Sequence, residues 1–154
     1  MTKSLGRLGF LVALLISATA GSAVAASEAE VNASIARLLG HAALYENTLK
    51  AFQQAVASGN KEDAAAFIRY PIPVEIDRHK RSIRSSAEFV KNYDRIMTPD
   101  IVAAVKNQTY EDLTVSRKGV SFGKGEVLVT GMCLDRGCRT MVPVVVSIQH
   151  ADVN

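Results

Sequence analysis

The sequence predicts an α+β domain in which helices lie against one face of a curved antiparallel sheet. Apolar residues recur every three or four positions in the first half of the chain, and this period changes to two in the last third. Glycine-containing turns separate the alternating segments, as in an antiparallel meander. A chain of 154 residues is long enough for a single core of this kind.

The first 25 residues are typical of a secretory signal peptide. Lys3 and Arg7 form a basic start, residues 8–16 are apolar, and an A-x-A motif occupies residues 23–25. The alternative, a membrane anchor, is disfavoured because so short an apolar stretch does not comfortably cross about 30 Å of hydrocarbon. We therefore expect a periplasmic or secreted bacterial protein that begins at Ala26 and has no membrane span after cleavage.

The first helical region is predicted over residues 27–58, with Gly40 as a break. We assign residues 26–43 to an N-terminal helical lead and residues 44–150 to a single α+β domain. The next helix is predicted to begin after Asn60, a good N-cap, and to end by Tyr70, because Pro71 disfavours helix in the residue before it. One helix face carries Leu38, Leu39, Ala42, Tyr45, Leu49, Phe52 and Val56.

The middle of the chain predicts a strand, a polar turn and two further helices. Residues 73–77 alternate between apolar and polar, and residues 81–84 are a candidate return strand. Ser85 and Glu88 have the spacing of a capping box, so we expect a helix to start there. A further short helix is expected after Thr98, which would be its N-cap, with Pro99 at the first helical position.

The last third predicts a meander of short strands. We expect strands near residues 110–115, 119–123, 126–133 and 139–149, joined by tight turns. Pro143 cannot donate to a sheet ladder, so it indicates an edge strand or a bulge.

Cys133 and Cys138 are the two cysteines of the chain. In an exported protein such a pair normally forms a disulfide bond, and this is the state we expect. A free or reactive pair is the first alternative. A metal site is the second, but His41, His79 and His150 show no ligand spacing around the cysteines. We therefore expect no metal and no cofactor.

Four segments of the chain resemble small exported bacterial members of the nuclear transport factor 2-like superfamily. These segments are residues 51–62, 68–72, 87–96 and 119–126, and the resemblance covers residues 44–149. It implies a cone-shaped α+β fold. The superfamily contains isomerase-like and dehydratase-like enzymes and also many binding or accessory domains, so the fold alone does not define a function.

The resemblance implies candidate ligand-binding residues in the mouth of the cone: Arg69, Tyr70, Tyr93 and Asp94. The structural alternative is that Tyr93 is a core aromatic residue and that Asp94 is a solvated helix residue. No aspartate or histidine at a strand position matches the catalytic carboxylates of the isomerase-like enzymes. An apolar sheet face is expected instead, formed by Val127, Val129, Val144, Val146 and Ile148. We therefore assign no catalytic residue.

The densest positive cluster of the chain is a candidate surface for an anionic partner. The alternative is a solvated hairpin tip. The net charge of +3 includes Lys3 and Arg7 of the leader, so the rest of the chain is close to neutral. We therefore do not expect nucleic-acid binding, which usually needs a strongly basic domain. The cluster comprises Arg78, His79, Lys80, Arg81 and Arg84.

Three functions remain open at this level. The sequence favours a non-enzymatic periplasmic binding or accessory domain whose ligand, a protein or a small molecule, is unknown. The second is a small-molecule isomerase-like or dehydratase-like enzyme of the same fold. The third is an inhibitor or immunity-type protein that presents the Cys133–Cys138 hairpin to a cell-wall enzyme. We also consider a homodimer formed through the sheet.

Overall fold

The computed structural model describes residues 27–150. The predicted signal peptide and its cleavage site lie outside the described residues. The chain folds as α+β, with helices and antiparallel sheets. In the part of the chain that the structure describes, no helix is long and apolar enough to span a bilayer.

The first three helices are α1 (Glu28–Leu38), α2 (Ala42–Ala57) and α3 (Lys61–Ala66). The predicted break is at Gly40 and His41, which both adopt positive φ, 75° and 51°. Gly40 adopts this conformation without a steric penalty, and the helix ends there. The side chain of Asn60 accepts the backbone N–H of Asp63 at 3.1 Å, which confirms the predicted cap.

A hairpin of β1 (Ile72–Ile76) and β2 (His79–Ile83) follows. The return strand begins at His79, two residues earlier than the sequence indicated, because Asp77 and Arg78 alone form the turn. Both turn residues have positive φ, 51° and 64°, as a two-residue type I′ turn requires. Neither is glycine or asparagine, so the usual sequence signal for this turn is missing.

Three short helices come next: α4 (Ser86–Lys91), α5 (Tyr93–Ile96) and α6 (Pro99–Asn107). The expected capping box is half formed. The Ser85 hydroxyl accepts the backbone N–H of Glu88, but the Glu88 carboxylate accepts the N–H of Arg84 instead of that of Ser85. Thr98 precedes α6 as predicted, without a side-chain cap.

The last third forms a four-stranded antiparallel meander in the order β3-β4-β5-β6. Residues 110–113 form a turn instead of a strand start, and the N–H of Leu113 donates to the carbonyl of Tyr110. Pro143 lies in β6, which is an edge strand of this sheet, as its missing N–H predicted. The strands are β3 (Thr114–Ser116), β4 (Gly119–Phe122), β5 (Val127–Cys133) and β6 (Met141–Ile148).

The apolar sheet face differs from the expected one in β6. The pairing of β5 with β6 shifts between Leu128, opposite Ser147, and Val129, opposite Val145. Val146 is therefore an extra residue in β6, and the inward side changes there from odd to even positions. Val145 and Ile148 are buried, whereas Val144 and Val146 are half-buried on the outer side.

One apolar core lies between the helices and the inner sheet face. Phe52 of α2 is fully buried at its centre, with ring centroids of Phe67 and Phe122 each 6.0 Å away. The hairpin β1–β2 lies beside β6. The segment before β1 bonds to β6: Val145 donates its N–H to the carbonyl of Phe67, and its carbonyl accepts the N–H of Arg69, at 2.8 and 2.9 Å.

Candidate functional site

The space between the helices and the sheet is filled by apolar and aromatic side chains. Among residues 27–150, no aspartate, glutamate, lysine, arginine or histidine is buried. Chemistry that needs a charged group in a dry pocket therefore has no such group in this part of the chain. The polar groups that the sequence singled out lie at the surface or at the edge of the core.

Tyr93 is a core aromatic residue, only 5% exposed. Its ring contacts that of Phe89 edge-on, with centroids 5.7 Å apart, and Lys61 Nζ lies 5.5 Å from the Tyr93 ring centroid. The Tyr93 hydroxyl has no hydrogen-bond partner among the described residues, and burial raises its pKa. Asp94 is exposed and forms an ion pair with Lys61 at 2.7 Å.

Tyr70 is half-buried on the other side of Phe89, with ring centroids 6.5 Å apart. Its hydroxyl donates to the carbonyl of Ala65 at 3.0 Å, and burial raises its pKa to about 12. The side chain of Arg69 is exposed. The structure therefore brings Tyr70 and Tyr93 together around Phe89. The ligand-binding role of these residues and of Asp94 remains a prediction.

Asp94 lines a surface groove of about 460 Å³ between the β1–β2 turn and the start of α6. Asp77 and Arg95 form an ion pair across it, and the Arg95 guanidinium lowers the pKa of Asp77. Arg69, Tyr70 and Tyr93 do not line this groove. The lining residues are Glu75, Asp77, Arg78, Asp94, Arg95, Thr98 and His150.

The five basic residues at the β1–β2 hairpin do not share one face. Arg78 is in the turn, and Arg84 follows the end of β2. His79 and Arg81 are opposite Ile76 and Val74, whereas Lys80 is opposite Glu75 and so lies on the other face. All five are exposed. They are spread over both faces and both ends of β2. Their role toward an anionic partner remains a prediction.

The loop Cys133–Cys138, between β5 and β6, is held by covalent and hydrogen bonds. Its two cysteines are joined by a disulfide bond, as expected, with Cα atoms 4.7 Å apart. The N–H of Leu134 donates to the carbonyl of Thr140 at 2.8 Å, and that of Cys138 to the carbonyl of Asp135 at 3.1 Å.

Asp135 holds the rest of this loop. Its carboxylate accepts the backbone N–H groups of Gly137, Arg139 and Thr140 at 2.9, 3.2 and 2.6 Å. The bonds from Arg139 and Thr140 are the main reason why the pKa of Asp135 lies below its ordinary value. The covalent bond and the carboxylate together fix the backbone of the hairpin tip.

Three side chains project from this fixed backbone. Leu134 is 56% exposed, a high value for a large apolar residue. Arg136 and Arg139 are also exposed. The sequence predicted the bond between the cysteines but not the importance of Leu134, Asp135, Arg136 and Arg139. An aspartate two residues after a cysteine and two before a glycine was the available signal, since aspartate commonly binds nearby backbone N–H groups.

The outer face of the four-stranded sheet carries half-buried apolar side chains, among them Leu128, Met132, Val142 and Val144. This is the face through which a homodimer would form. Dimerisation remains a prediction.

Comparisons of the chain with protein-family models, with curated proteins and with solved structures found no match.

Proposed function

We propose that this chain is an exported, non-enzymatic binding domain of the cone-shaped nuclear transport factor 2-like type, and that the loop Cys133–Cys138 is its recognition element. The partner is a protein with an apolar pocket that receives Leu134. Acidic groups at the rim of this pocket would pair with Arg136 and Arg139.

The observation that carries the proposal is an exposed leucine on a fixed backbone. Isolated apolar residues are common on protein surfaces and need no explanation. Leu134 differs because it lies inside a covalently closed loop, between a disulfide bond and a carboxylate that binds three N–H groups. Such an arrangement stabilises one loop conformation. A leucine that is only exposed to solvent has no need of a restrained backbone.

A fixed loop favours binding because little conformational entropy is lost when the partner docks. Ordering a flexible interface costs about 0.5–1.5 kcal/mol for each immobilised side chain, and restraining the loop beforehand reduces this loss. The arginines add a second property. Arginine is enriched at interface hot spots, and its planar guanidinium forms paired hydrogen bonds with carboxylates.

The composition of the core supports a binding role over an enzymatic one. An enzyme of this fold would need acid–base groups that converge in a deep pocket. In the described residues, the interior is apolar. In the surface groove of about 460 Å³, Asp77 and Arg95 are paired with each other, and Asp94 is paired with Lys61. The order of helices, hairpin, helices and meander supports the proposed fold.

The experiment compares four purified forms with an intact disulfide: wild type, Leu134→Ala, Arg136→Ala and Leu44→Ala. Wild type is first used to isolate a partner from an extract of the producing cell, and affinity for that partner is then measured. Leu44 is the matched control, since it is also a large exposed apolar residue, 42% exposed, but lies on α2. We expect about tenfold weaker binding for the first two variants and no change for Leu44→Ala. Equal affinity for all four forms would contradict the proposal.

A second candidate function follows from the exposure of nearly the whole loop. Every residue from Cys133 to Thr140 except Asp135 is exposed, so nearly the whole hairpin tip is available to contact an enzyme cleft. An inhibitor of a cell-wall enzyme would use this surface. The test is the rate at which lysozyme clears a cell-wall suspension: inhibition by wild type but not by Leu134→Ala would favour this candidate.

A further inference from the structure

The free edge of β2 has a hydrogen-bonding pattern that follows from Pro73. In an antiparallel pair, opposite residues alternate between those that exchange hydrogen bonds and those that do not. Pro73 has no N–H and is opposite Ser82, so this is a non-hydrogen-bonded pair. The pair of Glu75 and Lys80, two positions away, must be of the same kind.

It follows that Lys80 and Ser82 direct their N–H and C=O groups away from β1. His79, Arg81 and Ile83 direct theirs toward β1. No side chain or backbone group of the described residues binds the outward N–H groups of Lys80 and Ser82. Residues 79–82 are exposed, and among residues 27–150 only β1 is paired with β2. The edge is thus a short open template for one more strand.

The side chains at this edge select the kind of strand that can pair with it. Lys80 and Arg81 are on the strand itself, and Arg78 and Arg84 are at its ends. Charged residues at a sheet edge oppose pairing with a copy of the same strand, because like charges would then face each other. The same charges attract an acidic strand.

We propose that the free edge of β2 binds an extended acidic segment of a partner protein as an added strand. The outward groups of Lys80 and Ser82 bond its backbone, and the surrounding basic side chains pair with its carboxylates. This surface is distinct from the loop Cys133–Cys138, so the inference does not depend on the function proposed for that loop.

The probe is a short acetylated and amidated peptide of alternating glutamate and valine, titrated into the disulfide-bonded protein at low salt. Backbone amide exchange is followed by NMR. We expect the Lys80 and Ser82 amides to exchange about tenfold more slowly when the peptide is bound. The His79 and Arg81 amides, already bonded to β1, should not change. A peptide with proline in place of valine has the same charge but cannot form a strand, and it should leave all four amides unchanged.

Two substitutions separate the backbone contribution from the charge contribution. Lys80→Pro removes an outward N–H without touching the bonds to β1, and Arg81→Glu reverses a charge. Each should weaken binding of the glutamate–valine peptide about tenfold, whereas Lys124→Glu in the β4–β5 turn, outside the β1–β2 hairpin, should not.

If Lys80→Pro fails to fold, the amide exchange of the wild-type protein still tests the proposal, because that measurement needs no variant. Three results would each overturn the proposal: no binding of the glutamate–valine peptide, binding without slower exchange at Lys80 and Ser82, or equal binding of the proline peptide.

Discussion

The carboxylate of Asp135 accepts the backbone N–H of Thr140 at 2.6 Å and so joins the two sides of the loop Cys133–Cys138 at its base. This contact is in addition to the disulfide bond, which joins the same two sides through side chains. The hairpin tip is therefore held by these two side-chain links, in addition to the backbone hydrogen bond from Leu134 to Thr140. The predictions for this loop come from removing the Asp135 carboxylate and the disulfide bond one at a time.

Asp135→Ala should release the hairpin tip while the disulfide bond stays closed. Three N–H groups, those of Gly137, Arg139 and Thr140, lose their acceptor. We expect faster amide exchange at these three residues, measured by NMR, and unchanged exchange in α2. Equal protection in Asp135→Ala and wild type would show that the loop is ordered without the Asp135 carboxylate.

The contribution of Asp135 should depend on pH in a definite direction. Its pKa in the folded protein lies below the ordinary value of 3.8. The carboxylate therefore stabilises the loop fully above pH 3.8, and this stabilisation is lost as the pH falls through the lower folded-state pKa. The amide shifts of Gly137 and Thr140 should titrate below pH 3.8. In Asp135→Asn, which has no ionisable group there, this titration should disappear.

The double substitution Cys133→Ser and Cys138→Ser should lower the free energy of unfolding by about 2 kcal/mol, because the unfolded chain gains entropy when the disulfide bond is absent. The effect is small because the closed loop is short. Urea unfolding with and without a reductant measures this. The reductant should destabilise wild type and leave the double variant unchanged. A double variant that still responds to reductant would show that the reductant acts elsewhere.

Gly131 of β5 should not tolerate a side chain. A Cβ atom there would lie 2.7 Å from Met141 Sδ and 3.0 Å from Tyr45 Oη, both of them buried residues. We expect Gly131→Ala to lower stability by about 1–3 kcal/mol through overpacking. Gly137→Ala is the control, since its nearest atom would be 3.4 Å away, and its effect should stay within about 0.5 kcal/mol.

The two tyrosines on either side of Phe89 should respond differently to loss of the hydroxyl. Tyr70→Phe removes a hydrogen bond to Ala65 and should cost about 1 kcal/mol of stability. Tyr93→Phe removes a buried hydroxyl that has no partner within residues 27–150, so stability should be unchanged or rise. Thermal unfolding compares the two variants. A larger loss for Tyr93→Phe would mean that its hydroxyl has a bonding partner in solution.

Elements that depend on local signals could be predicted from the sequence. The cap at Asn60, the helix break at Gly40 and the edge position of Pro143 each follow from the chemistry of one residue. The type I′ turn at Asp77 and Arg78 could not be predicted in the same way, because Arg78 occupies the second central position, where glycine is usual. The prediction of which β6 side chains face inward was wrong for a different reason. The extra residue Val146 reverses the alternation, and only the pairing with β5 reveals it.

The candidate site was predictable to a similar extent. The disulfide bond could be predicted because the chain has two cysteines and is expected to be exported to an oxidising compartment. The contribution of Asp135 depends on a loop conformation that brings three N–H groups to one carboxylate, which the sequence alone does not specify.

The most direct test of the proposed function is a photo-crosslinking amino acid placed at position 134 in cells that produce the protein. Position 124 is the control, since Lys124 is an exposed residue in the β4–β5 turn at the opposite end of the same sheet. We predict one discrete adduct from position 134, lost when Arg136 is changed to glutamate, and none from position 124. The absence of an adduct at position 134, or the same adduct from both positions, would contradict the account.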